Sequence, residues 1–472
     1  MKRLIMVGID GMDYKVIEDN LGILPNIRSM IRNDRSSCIR SVFPPDTTPA
    51  WSTIFTGLDP SQHGIINFVN VGDKTNQYKP TVVNDSFFMG KTLWDRLNRA
   101  GKKAVVLLPI NIYPGWEING LMITRGSKGI EIWPKEKYEL YNPDKDLLSL
   151  DGKFISSGQM GRFLSELNRK MDEEMRLTRL ALENEDFDFM FTYFSTLDAV
   201  QHAFWNLCDK DHPEYPGDNQ YSNAILDMYV KMDTYIGKIL KTAGSSTVIV
   251  LSDHGHGARP VYTARINQML KNAGLLVPAK AEKKHKKPGI KSKLKHYAIN
   301  YVGKFGIPSP LLKLAREFPV WKKLFASSTD LNFQHTKAYL SDLSAIKNYS
   351  FGGIRINGDD KSKIADQVIS ALKDIKIPGE ENKAFVWIGR REELYSGENI
   401  DKFPEVLFHL DERYGAEWEL GDKVFEKKGF MYKLSPGSHK WLTGVFMYRG
   451  LEVDYKPVEL VNICDIVCDY LN

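Results

Sequence analysis

Residues 246–257 read STVIVLSDHGHG, and this stretch decides the fold. Thr247 to Leu251 are apolar and mostly β-branched, follow a Gly-containing break and end on polar residues; the pattern predicts a buried strand of a parallel sheet. Ligands of open α/β sheets gather just beyond the carboxyl ends of the strands. Asp253 and His254, with His256 two residues on, therefore stand where a site would form.

Working outward, strand-like runs alternate with helical patterns. Leu4–Ile9 precedes a helix over 24–31. A helix over 93–100 precedes the run Ala104–Leu108, and a long charged helix from about Gln159 to Glu183 precedes Phe189–Phe194. Thr247–Leu251 itself follows a helix over 224–242. This is a βαβ series, and it predicts an α/β protein with a doubly wound, mostly parallel sheet covered by helices on both faces. Residues 278–330 break the series. Between Lys280 and His296 there are eight lysines and one glutamate, followed by an amphipathic stretch containing Phe318, Trp321 and Phe325. This segment reads as a basic insertion or lid between catalytic portions 1–277 and 331–472. Beyond it the alternation resumes with runs over 337–340, 352–356, 405–410 and 444–448, and ends in a helix over 458–471.

The bulk numbers exclude several classes. With 472 residues, 42% hydrophobic and 26% charged, the chain has the composition of a soluble globular protein. A net charge of +5 does not call for specific nucleic-acid binding. Asp10 and Asp13 interrupt the N-terminal apolar run, so it reads as a first strand rather than a signal peptide. No apolar stretch approaches a membrane span. Cys38, Cys208, Cys464 and Cys468 lack CxxC spacing and read as reduced thiols of a cytoplasmic protein.

Three further places put ligand-type side chains at strand ends. Asp10 follows the first strand, and Gly11 allows a tight turn. Asp198 and His202 are four apart on a predicted helix and face the same way. His439 precedes the last strand in GSHKW. With Asp253 and His254 they make three Asp and three His, a set suited to zinc, or to manganese where oxygen dominates, and too many for one catalytic ion. Two such ions clamp an in-line displacement at phosphorus. A nucleophile comes from FPPDTTPAW, residues 43–51, where Thr47 and Thr48 precede a helix opened by Pro49. Thr48 reads as the helix cap, leaving Thr47 for attack.

The ordered series Asp10, Thr47 in FPPDTTPAW, TGLDPSQHGI, Asp198-x-x-x-His202, Asp253-His254 and GSHKW resembles the alkaline phosphatase superfamily. It is most similar to the type I phosphodiesterase/nucleotide pyrophosphatase branch. The resemblance implies two divalent ions, zinc or manganese. One would be held by Asp198, His202 and His439, the other by Asp10, Thr47, Asp253 and His254. It also implies a phosphothreonine intermediate on Thr47 and hydrolysis of a phosphodiester or pyrophosphate bond. A phosphomonoesterase or phosphomutase is the alternative within the superfamily, and a membrane-surface or polyanion-binding protein the alternative outside it. Ala50 stands where the family commonly carries Asn; with Trp51 it reads as an apolar wall for a second ester group. His256 is not a usual ligand position and reads as a surface or supporting residue, and His63 as a backbone partner in a turn. Arg125 and Arg355 are candidate phosphate contacts. The expected partner is a phosphorylated small molecule or lipid headgroup, with a peripheral membrane contact through 280–325 as the functional reading of the insertion.

Overall fold

The computed structural model describes residues 2–31, 36–67, 85–126, 129–148, 157–279, 331–341, 343, 349–427, 435–451 and 459–472. The basic insertion lies outside the described residues except for Pro278 and Ala279, so the lid and the 280–325 membrane contact do too. Pro278 bridges to Leu331, which brings the two ends of that segment together.

Strands are numbered along the chain. The central sheet has eight among the described residues: β1 (Leu4–Ile9), β2 (Ser36–Ile39), β3 (Ala104–Leu107), β4 (Gly120–Gly126), β5 (Gly129–Trp133), β6 (Phe189–Phe194), β7 (Thr247–Leu251) and β17 (Gly444–Arg449). Their order is β2-β17-β7-β1-β6-β3-β4-β5. The middle five run parallel, whereas β5, β17 and β2 close the two edges with antiparallel pairings. The expected doubly wound sheet is present, and β1, β6 and β7 keep the bounds read from the sequence.

Side-chain alternation splits the core in two. Ile5, Val7, Val248 and Val250 pack on one face with residues of the helices Met160–Asn184 and Ala224–Ala243. Leu4, Met6, Ile249 and Leu251 pack on the other with the helices Thr47–Thr56, Leu93–Arg99 and Asn462–Leu471. Both faces are covered, so β1 and β7 are buried throughout. Gly8 is the one gap in β1. A Cβ there would lie 2.5 Å from the Trp51 ring, so glycine lets the helix Thr47–Thr56 press close to the strand.

After the insertion the structure departs from the expected alternation. β10 (Ala338–Leu340), β11 (Phe351–Ile356), β12 (Phe385–Arg390) and β13 (Val406–Leu410) do not enter the central sheet. They form a separate antiparallel sheet in the order β10-β11-β13-β12. β12 is partly exposed, as expected of an antiparallel sheet covered on one face. β9 (Tyr262–Arg265), β14 (Tyr414–Glu417) and β15 (Phe425–Glu426) form a small third sheet, and a two-stranded ribbon, β8 (Gly255–Ala258) with β16 (Gly437–Lys440), links the end of β7 to the start of β17. Among the described residues no helix is long and apolar enough to cross a membrane.

Candidate metal centre

β7, β1 and β6 are neighbours in the sheet, and each delivers its polar residues at its carboxyl end. Asp10 follows Ile9, and Gly11 takes a left-handed turn at φ 66°. A Cβ on Gly11 would also come within 3.1 Å of Asp198 Cβ, so this turn needs glycine twice over. Gln201 Nε2 donates to the Gly11 carbonyl (2.8 Å) and fixes the turn against the helix Thr196–Cys208. That helix presents Asp198 and His202 one turn apart, with His202 Nε2 3.3 Å from Asp198 Oδ1.

Two donor groups result. In the imidazole-rich group, Asp198 Oδ1 lies 3.3 Å from His202 Nε2 and 3.5 Å from both His439 Nε2 and His256 Nε2. In the carboxylate-rich group, His254 Nε2 lies 3.2 Å from Asp253 Oδ2, 3.6 Å from Asp10 Oδ1 and 3.2 Å from Thr47 Oγ1, and Thr47 Oγ1 is 3.5 Å from Asp10 Oδ1. The groups abut: the His254 and His439 rings stack at 3.8 Å, and Asp198 belongs to both clusters.

These residues fit divalent ions on grounds internal to the structure. His202 Nδ1 faces the Gly437 carbonyl (3.0 Å), His254 Nδ1 the Gly255 carbonyl (3.0 Å) and His439 Nδ1 the Pro45 carbonyl (2.9 Å). A carbonyl only accepts, so the network places each proton on Nδ1 and leaves each Nε2 as a lone pair. Yet His202 Nε2 and His439 Nε2 stand 2.9 Å apart. Two acceptor lone pairs facing each other at that distance repel, and a cation between them would turn the repulsion into attraction. Buried Asp198 Oδ1 and Asp253 Oδ2 also lack any hydrogen-bond partner, the condition of ligand atoms without their ligand.

The electrostatics agree. Burial first, then the neighbouring Asp198 charge, holds Asp10 well above the ordinary carboxylate range. Burial and then Asp10 do the same to Asp253. Clustered acids that resist ionisation are stabilised by a nearby positive charge. Burial and the surrounding imidazoles push His256 well down, so it stays neutral.

All seven residues expected from the sequence, Asp10, Thr47, Asp198, His202, Asp253, His254 and His439, come together here. Other readings need correction. The helix cap is Asp46, whose carboxylate accepts from Thr48 N; the helix begins at Thr47, two residues earlier than expected. Thr48 N–H is thereby committed and Pro49 has none, which reduces the anion-binding capacity expected of this helix end. Ala50 and Trp51 are fully buried beneath the helix, Trp51 against Phe55, Phe191 and Tyr193, so they line the core rather than a substrate wall. Arg125 Nη1 donates to the Leu148 carbonyl and pairs with Glu174, the guanidinium lying over the Tyr193 ring. Arg355 is bonded to the carbonyls of Asp401, Lys402 and Phe403, away from phosphate chemistry. His63 behaves as read: its Nδ1 accepts from Ile65 N, and its Nε2 meets Thr53 Oγ1.

Three residues escaped the sequence reading, and a fourth, His256, was seen at the strand end but read as a surface or supporting residue. His256 is not at the surface but buried in the imidazole-rich group. Tyr193 donates its hydroxyl to Asp10 Oδ2. Asp13 caps the helix Tyr14–Asp19 and also accepts from His256 N (3.0 Å), tying the ribbon to the end of β1. Buried Arg259 donates to the Ser435 carbonyl, beside the Ser435 hydroxyl that meets His202 Nδ1. The Asp-then-helix pattern at residues 13–19 was the one legible signal among them.

An α/β sheet of this order, with two donor groups gathered round one hydroxyl at its strand ends, is of the alkaline phosphatase-like class. The chain belongs to the type I phosphodiesterase / nucleotide pyrophosphatase family, whose model matches residues 4–398. Over 121 residues it is 30% identical to venom phosphodiesterase of Macrovipera lebetinus, an alignment covering 24% of this chain and only 14% of that protein. Phosphonoacetate hydrolase from Sinorhizobium meliloti 1021 superposes with a TM-score of 0.55 at 14% identity, covering 100% of this chain and 96% of that one. Human ectonucleotide pyrophosphatase/phosphodiesterase 5 superposes with a TM-score of 0.50 at 11% identity, over 100% and 95%. Likeness at such identities concerns the fold.

Proposed function

We propose that the protein is a phosphoester hydrolase in which Thr47 attacks phosphorus and two divalent ions sit in the two donor groups. The observation that carries this is the position of Thr47 Oγ1, at the first residue of its helix and within 3.2 Å of His254 Nε2 and 3.5 Å of Asp10 Oδ1. Asp198, His202 and His439 would hold one ion, and Asp10, Asp253 and His254 with Thr47 the other. Such ions lower the pKa of a bound hydroxyl and stabilise charge on phosphoryl oxygens.

The remaining steps belong to the chain. Thr47 releases its proton to solvent, its oxygen forms a bond to phosphorus, and the leaving alcohol or phosphate departs with the electrons of the broken P–O bond and takes up a proton from solvent. Water then attacks the phosphothreonine and loses a proton to solvent, and the Thr47 oxygen leaves with the electrons of the O–P bond and is reprotonated as phosphate or a monoester is released. Tyr193 and the Gly11 amide, which bond Asp10 and Asp253, keep the two carboxylates oriented while this happens.

Family membership supports a phosphodiester or pyrophosphate substrate on a phosphorylated small molecule. With Ala50 and Trp51 in the core, that preference rests on the family alone. Purified, zinc-loaded protein should be assayed against matched aryl phosphodiesters, pyrophosphates and monoesters, with acid quenching to trap phosphate on Thr47. A higher kcat/KM for the diester or pyrophosphate supports the reading. Preference for the monoester moves it to a phosphatase or phosphomutase, and no turnover of any phosphoester overturns it.

A further inference from the structure

We infer that the imidazole-rich group holds its ion with four protein donors, Asp198 Oδ1 and the Nε2 atoms of His202, His439 and His256. This rests on the two-ion reading and extends it, because the resemblance accounts for only the first three.

In the ribbon of β8 and β16, His256 stands directly opposite His439. Residues opposite one another in an antiparallel pair project to the same face. Both rings therefore turn toward the helix Thr196–Cys208, which carries Asp198 and His202. Glycine makes the approach feasible: a Cβ on Gly437 would lie 2.3 Å from the Gln201 carbonyl oxygen and 2.5 Å from His256 Cε1. Asp13 pins the His256 backbone, and Trp205 stacks on its ring at 5.6 Å.

The ring that results has no other employment. The His256 side chain is wholly buried, and neither ring nitrogen has a hydrogen-bond partner. Leaving buried nitrogens without a partner is destabilising. Its Nε2 is 3.5 Å from Asp198 Oδ1, matching His439 at 3.5 Å and close to His202 at 3.3 Å. Four donors set tetrahedrally at zinc distances of about 2.0–2.1 Å would be about 3.3–3.4 Å apart. All four donor atoms lie within 4.8 Å of one another, so small movements complete the cage. His256 differs from the other three histidines in lacking a carbonyl on Nδ1, so it is the weakest of the three imidazole donors here.

A fourth protein donor retains the ion more firmly, and zinc can still expand to five-coordinate when substrate arrives. In the carboxylate-rich group the fourth donor is Thr47, the group that reacts.

The test is a crystal structure of the zinc-loaded wild-type protein together with chelator-competition titrations of wild type and His256→Phe. Phenylalanine keeps the stack on Trp205 and removes only the nitrogens. We expect Nε2 of His256 at about 2.0–2.1 Å from zinc in the wild type, and in His256→Phe at least a tenfold loss of affinity for one zinc equivalent with an unchanged circular dichroism spectrum. Zinc on Asp198, His202 and His439 with water as its fourth ligand overturns this inference and leaves the two-ion reading standing. Unchanged affinity in His256→Phe also overturns it. No zinc in either donor group overturns both.

Discussion

The two halves of the site are built from different parts of the chain. The carboxylate-rich half hangs directly on the central sheet: Asp10 and Asp253 leave β1 and β7, and Thr47 opens a helix pressed onto β1 through Gly8. The imidazole-rich half rests on one helix and a two-stranded ribbon, whose strands come from residues 255–258 and 437–440. The first half is fixed by local sequence next to strands, the second by a pairing between residues nearly two hundred positions apart. That contrast separates placement of the Thr47 hydroxyl, the proposed nucleophile, from assembly of a set of imidazoles across the chain.

The sharpest way to break the comparison is Thr47→Ala. It removes the attacking oxygen and one donor of several, so turnover should fall by about three orders of magnitude or more while metal content stays near the wild-type value. Steady-state kinetics with elemental analysis on the same sample checks both halves of the statement. If activity survives, Thr47 is not the nucleophile.

Next in size are paired ligand substitutions. His439→Ala should lose the ion of the imidazole-rich half and keep the other, and Asp253→Asn should do the reverse. Competition titration against a chromophoric chelator would read this as one weakened equivalent in each variant. Loss of both equivalents in both variants would mean that the halves are one cooperative unit.

Metal removal should leave a pH signature. In the metal-free protein Asp10 and Asp253 hold protons that the unfolded chain has released, because their folded values are raised. The folded state then binds more protons, so stability is greatest at or below the ordinary carboxylate value near pH 4 and falls as pH rises toward the raised folded values. The slope is up to about 1.4 kcal/mol per pH unit for each group. Bound zinc should flatten it, as thermal unfolding with and without chelator would show. His63 gives the opposite sign: burial lowers it to about 3. Its contribution is complete above its ordinary value near 6.5 and is lost as pH falls through that value toward 3, so His63→Gln should reduce acid sensitivity.

The smallest expected effect concerns the helix that positions Thr47. Asp46→Ala should cost about 1 kcal/mol as a lost cap, whereas Thr48→Ala should be nearly neutral. Denaturant titration of the two variants distinguishes them. Equal losses would return the cap to Thr48.

How far the sequence could be read follows the same division. Buried strands of a parallel sheet are continuous apolar runs, so β1, β6 and β7 were legible to the residue, and the Asp and His at their ends with them. The ribbon was not. Gly255–Ala258 and Gly437–Lys440 are short and glycine-rich, carry no periodicity, and pair only because the sheet brings them together. His256 could not be placed without that register. The second sheet was misread for a related reason: alternating apolar residues give a strand its period but not its partner, so β10, β11 and β13 were placed in the central series, and β12 was not read as a strand. The cap at Asp46 was missed because two threonines next to a proline made an equally good pattern.

The central claim is that two ions sit in two distinct groups around one hydroxyl. Its most direct test is elemental analysis of the wild-type protein after exhaustive dialysis against metal-free buffer. The account predicts about two equivalents of divalent transition metal per chain; a protein carrying none, and equally active with and without chelator, would contradict it.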